Sequence, residues 1–228
     1  MENTIKSSFF SVKKLKYAIQ LFYKPKEVFD EMKAGNGLGL VNIIVILLIN
    51  TLIAFMISKS AVGTSEIGAL LPKELSEKQS TLTLFSAIMS VLSIIQFLFG
   101  VLIMTAIYKL LVMITSANVS FSKIFSITFL TQLPVILGKL VNFLAQGVSI
   151  ENNISITSLG YTLKSLGIEN TFILSLSSRF EIFSMLSFAL TVMGIYYLSN
   201  NSKKIPTIFW AAWLVLALIS SFLVSSYF

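Results

Sequence analysis

Six polar side chains lie inside otherwise apolar runs of this chain: Asn42, Asn50, Gln96, Gln132, Lys139 and Asn142. Glu181 stands at the start of a further apolar run. Histidine and cysteine are absent, which removes the usual general base, the proton shuttle, the thiolate nucleophile and two common metal ligands. Hydrolysis by a serine would have only Lys139 as its base, and paired intramembrane aspartates for proteolysis are missing. The GNGLG stretch, Gly35 to Gly39, has no strand before it and no polar helix after it, so it does not read as a phosphate loop. These residue types predict a non-enzymatic chain without cofactor or metal. Amides inside apolar helices usually face the bundle and bond across it, for about 0.6–2 kcal/mol each; the sharper reading is a polar path for a substrate. Lys139 and Glu181 fall at similar depth on successive runs and are expected to pair, directly or through water, because an opposite charge lowers the cost of either near hydrocarbon. The plainer alternative is that each snorkels to the interface separately.

The elements that hold these groups are membrane helices. Of 228 residues, 55% are apolar and 12% charged, and the mean hydropathy is +0.86. A soluble domain carries roughly twice that charged fraction, so the excess apolar surface belongs in a bilayer. Five runs are long enough to span: about 40–57, 82–112, 123–145, 181–198 and 207–227. The third holds the organising stretch IFSITFLTQLPVILG, Ile124 to Gly138. Pro134 removes a backbone donor there and pushes its ring against the preceding turn, which predicts a kink. The freed carbonyl then needs a hydroxyl, a water or a neighbouring helix.

Residues 1–37 form a polar, lysine-rich segment ahead of a five-span domain at 38–228. Periodicity over Phe9 to Tyr23 places Val12, Leu15, Ala18, Ile19 and Phe22 on one helical face and Lys13, Lys16 and Gln20 opposite. Such a helix suits the surface of an anionic leaflet, or it caps the cytoplasmic end of the bundle. Pro25 opens a second short helix, and Trp210, Trp213 and Tyr227 are candidate interface anchors. Seven of the seventeen lysine and arginine residues precede the first span, and the Lys109–Lys123 and Asn200–Pro206 turns add two each. Five fall in the two opposite loops. That bias puts the amino terminus in the cytoplasm and, with five spans, the carboxyl terminus outside. The net charge of +7 sits between apolar runs, so it marks membrane flanks and not a nucleic-acid surface.

Three stretches resemble the bacterial branch of the Yip-domain (Ypt/Rab-interacting protein) family. LFYKPKEVFDEMKAG, Leu21 to Gly35, is similar to its entry helix, and Ile124 to Gly138 is similar to its third span, with Leu133-Pro134 shared. Phe180 to Lys204 resembles its fourth: Glu181 two before Phe183 opens the helix, and Gly194 precedes the basic turn of Lys203 and Lys204. The likeness runs from Leu21 to the end. It implies an all-α integral membrane protein of the bacterial plasma membrane, with five spans behind a cytoplasmic amphipathic segment. It implies no enzymatic activity and work done through other membrane proteins. Among those, the resemblance points to the ATPase and permease subunits of an ABC-type exporter that protects against a toxic peptide, with this chain as accessory subunit. The soluble acidic and aromatic region of eukaryotic members has no counterpart, so Rab binding is not carried over. A stand-alone transporter or channel is the alternative.

Overall fold

The computed structural model describes residues 16–35, 38–62, 79–147 and 154–227. Among them the secondary structure is helical, with one isolated antiparallel bridge between Ser158 and Glu181. Helices α1 (Lys16–Tyr23) and α2 (Pro25–Lys33) precede the long apolar helices α3 (Leu40–Val62) and α4 (Gln79–Ile114). Then come α5 (Phe121–Leu130), α6 (Leu133–Gln146), the short α7 (Leu159–Ser165) and α8 (Thr171–Ser178), α9 (Ile182–Leu198) and α10 (Lys204–Tyr227). The amino-terminal part of the predicted amphipathic helix lies outside the described residues.

Among the described residues four stretches are long and apolar enough to cross a membrane: Leu40–Ala61, Ser80–Ile114, Phe121–Ala145 and Lys204–Ser226. The fifth predicted run is the shorter apolar helix α9. Its 17 residues rise about 26 Å, short of a hydrocarbon core of roughly 30 Å. The expected end of the first run near 57 is extended to Val62, because Ser58, Lys59 and Ser60 are polar without being helix breakers.

The third stretch is the centre of the bundle. Its apolar window is 61% buried inside the protein, against 22%, 11% and 17% for the windows of α3, α4 and α10. Where the sequence predicts a kink, the helix is interrupted: α5 ends at Leu130 and α6 begins at Leu133, with Pro134 in its first turn. α9 runs antiparallel to this broken helix. Gly138 meets Phe183 at one end, Thr131 meets Ser187 and Thr191 in the middle, and Gly194 meets Ile127 at the other. Both glycines set the approach distance. A Cβ on Gly194 would fall 2.9 Å from Ile127 and Phe29, and one on Gly138 would fall 2.9 Å from Phe183. This is the small-residue contact by which membrane helices pack without a hydrophobic driving force.

The amino-terminal helices belong to this packing. Val28, Phe29 and Met32 of α2 are buried against α9 and α5, and the Phe29 ring lies 6.4 Å from Tyr197. α1 is tied to α2 by the Tyr17 hydroxyl, which donates to Glu31. Tyr17 and Leu21 are the residues of α1 that insert, while Ile19 (69% exposed) and Phe22 (45%) face outward. Of the apolar stripe predicted from periodicity, Ile19 and Phe22 are therefore outward, Ala18 packs against the core, and Val12 and Leu15 lie outside the described residues. The tryptophans join α10 to α9 and to the turn before it: Trp210, itself exposed, and Trp213 stand edge-on to Phe188 and Phe180 at 4.9 and 5.2 Å.

Candidate interaction sites

Four polar arrangements stand out against this apolar frame. The first lies at the end of the bundle where α2, the 115–120 turn and the 199–203 turn meet. Lys123 Nζ donates to the Lys33 carbonyl at 2.8 Å, placing a cation on the carboxyl end of α2 where the helix dipole favours it. Lys109 Nζ donates to the Val119 carbonyl at 2.8 Å. Asn200 and Asn201 take left-handed conformations, φ 57° and 61°, which asparagine tolerates and which turn α9 tightly into α10.

The second arrangement is the seam at the proline break. Pro134 has no N–H for the carbonyl of Leu130, four residues back. The next carbonyl, Thr131, accepts from Ser187 Oγ at 2.5 Å. Thr131 Oγ1 and Thr191 Oγ1 share a hydrogen bond of 2.7 Å, and Thr191 donates on to the Ser187 carbonyl at 2.9 Å. All three side chains are buried. A neighbouring helix thus supplies hydroxyls beside the break, one carbonyl on from the Leu130 acceptor that the sequence predicts to need one. Ser187 and Thr191, at i and i+4 on an apolar helix, carry the only signal that could have named them.

The third is a clasp at the opposite end. Glu181 caps α9: its carboxylate accepts from the backbone N–H of Phe183 at 3.1 Å and of Ser184 at 2.6 Å. It also accepts from Thr157 Oγ1 at 2.5 Å. Asn142 Oδ1 on α6 accepts from Ser155 Oγ and the Ile156 N–H at 2.9 and 3.0 Å, pinning the segment that holds Thr157. Two adjoining cavities of about 530 and 440 Å³ open beside this clasp and share Ser178, Arg179, Glu181 and Ser184.

Glu181 sits just outside the apolar helix it caps. Burial pushes its carboxyl up, but the hydrogen bonds from Thr157, Ser184 and Phe183 outweigh that and hold it below the ordinary value of 4.5. A folded-state pKa below the unfolded one gives stability that is complete above the unfolded value and disappears as pH falls through the folded one. Melting of the purified protein in detergent should therefore drop as pH falls below the ordinary carboxylate range. Glu181→Gln should start lower and lose most of that dependence; an unchanged pH profile would refute the capping role.

The fourth is a notch of about 270 Å³ between α4 and the broken helix, lined by Ser93, Gln96, Gly100 and Met104 on one side and Gln132 and Lys139 on the other. The six intramembrane polar residues therefore divide. Gln96, Gln132 and Lys139 converge in the notch, Asn142 belongs to the clasp, and Asn42 and Asn50 are buried on α3 together with Ile46. Among the described residues no direct ion pair joins Lys139 to Glu181. The depth estimate left out direction. Glu181 turns back onto its own helix, and Lys139 faces α4.

These features define a polytopic helical membrane protein with a packed central helix pair and polar surfaces at membrane depth. A family model described as the Yip1 domain matches residues 19–226, and the chain belongs to that family. Comparison with curated proteins and with solved structures gives no match.

Proposed function

We propose that the chain is a non-enzymatic accessory or scaffolding subunit of a membrane assembly. The observation that carries this reading is the notch: an ammonium and two amides at membrane depth on a helix pair whose outer member, α4, is only 11% buried across its apolar window. Ionisable groups in that position are costly against lipid and mark a functional contact. A transporter needs its polar groups along one route, and here they are divided among three places.

Membership of the Yip1 domain family and the resemblance of its bacterial branch favour an ABC-type export system that protects against a toxic peptide. Its ATPase and permease subunits would be the partners. The five-span arrangement counts α9 as a crossing helix beside the four longer stretches. The lysine bias then puts α2 and the basic turns on the cytoplasmic side of a bacterial plasma membrane and the Glu181 clasp outside. On the same reading, α1 lays its outward Ile19 and Phe22 on anionic lipid of the inner leaflet.

Epistasis tests the export assignment. Deleting this chain should sensitise cells to the peptide as much as deleting the ATPase, and the double deletion should add nothing. Full resistance without the chain, or additive sensitivity, contradicts the assignment.

A further inference from the structure

The notch carries more than the general reading of a subunit. On α4, Ser93, Gln96, Gly100 and Met104 recur at helical spacing and form one stripe. Gly100 has open space where a Cβ would stand, so another backbone can approach there. Across the stripe, the Gln132 side chain lies at the proline break and Lys139 one turn beyond Pro134. Among the described residues, no hydrogen bond or ion pair involves the Lys139 ammonium or the side-chain amides of Gln96 and Gln132.

Depth decides what can fill the notch. Lys139 lies seven residues before the end of α6 at Gln146, about 10 Å by helical rise, so a headgroup could reach it. Gln96 is at the middle of α4, which puts it about half a hydrocarbon core, roughly 15 Å, from either interface, beyond a headgroup. A ligand that meets polar groups at both depths has to run along the bilayer normal, as a helix does. The occupant also needs a negative charge at the level of Lys139. A second copy of this chain does not supply a free one: its four long apolar stretches and α9 contain no Asp or Glu, and its Glu181 is taken up in capping α9 and holding Thr157.

We propose that the notch between α4 and α6 seats one transmembrane helix of a different membrane protein, with an aspartate or glutamate of that helix paired to Lys139. The assignment rests on the subunit reading and adds to it the chemistry of the contact.

Because the chain contains no cysteine, a single thiol can be placed and labelled unambiguously. Met104→Cys carrying a thiol-linked photocrosslinker, expressed at native level and irradiated in native membranes, probes the notch. Leu214→Cys, exposed on α10, is the control. The expected Met104→Cys adduct is an apolar peptide of another membrane protein that contains Asp or Glu, and the control lacks it. Lys139→Gln should reduce that adduct at least about tenfold, as loss of one member of a desolvated charge pair does. Lys139→Arg should retain it, and Lys139→Glu should recover it when the partner's carboxylate is exchanged for lysine. Phospholipid adducts alone, adducts to a second copy, or a yield indifferent to Lys139→Gln would overturn the seat while leaving co-purification with partners intact. Elution of the unlabelled chain alone from mild detergent would instead overturn the subunit reading beneath it.

Discussion

Gly194→Leu is expected to prevent the bundle from forming at native abundance. Gly194 sits where α9 crosses α5 and α2, and even a single added carbon would come within 2.9 Å of Ile127 Cδ1, Ile127 Cγ2 and Phe29 Cε1. The Ile127 Cδ1 atom can rotate away. The branched Cγ2 and the buried Phe29 ring cannot move without shifting their helices. Overpacking of this kind costs about 1–3 kcal/mol for small additions. That is the range expected for Gly194→Ala, and a leucine should exceed it. Gly100→Ala is the matched control. It has open space around it and exchanges a poor helix former for a good one, worth about 0.5–1 kcal/mol in the other direction. Melting temperature of the isolated chain in detergent should order the variants as Gly100→Ala, wild type, Gly194→Ala, Gly194→Leu, and steady-state level in membranes should fall from wild type through Gly194→Ala to Gly194→Leu. A Gly194→Leu protein as stable as wild type would mean that α9 does not lie against α5 and α2 as described.

Ser187→Ala should be the costliest single-hydroxyl deletion in the chain. Its partner is the Thr131 backbone carbonyl, exposed by the break at Pro134 and impossible to remove by changing a side chain. An orphaned buried acceptor costs about 1–3 kcal/mol. The adjacent Thr131–Thr191 bond is different in kind, because both partners are side chains. Thr131→Val and Thr191→Val should each destabilise by less than Ser187→Ala, because the remaining hydroxyl keeps a backbone carbonyl, of Ile127 or of Ser187; the double variant should cost less than the sum, since the bond they share is lost only once. Equilibrium unfolding in mixed micelles measures all four proteins. Additivity of the two valine substitutions, or a silent Ser187→Ala, would refute the seam.

Much of this frame was legible because hydropathy and helical periodicity report what a residue does locally. Asn42, Ile46 and Asn50 at i, i+4 and i+8 predict one face, and all three are buried. The mid-run proline predicts a break, found at Thr131–Gln132, while the hydroxyl of Ser187 meets the Thr131 carbonyl and not that of Leu130. What could not be read were the features set by azimuth and by which helices become neighbours. Lys139 and Glu181 share a depth but turn to different neighbours, so depth alone does not give a direct pair. Ile19 and Phe22 mark an apolar stripe, but the stripe does not say whether lipid or protein covers it. Gly194 is visible as a family feature beside a basic turn; that it admits Ile127 and Phe29 depends on the antiparallel register of α9, which no local pattern encodes. Thr157 finds Glu181 across 24 residues for the same reason.

The central claim is that this Yip1 domain chain acts within a heteromeric membrane assembly. Its most direct test is purification of the tagged chain, expressed from its own locus, from membranes in mild detergent, with the mass of the eluted particle measured. The account predicts a particle well above the 25.2 kDa chain, containing other membrane proteins in fixed ratio. A protein recovered alone, or only with copies of itself, would contradict it.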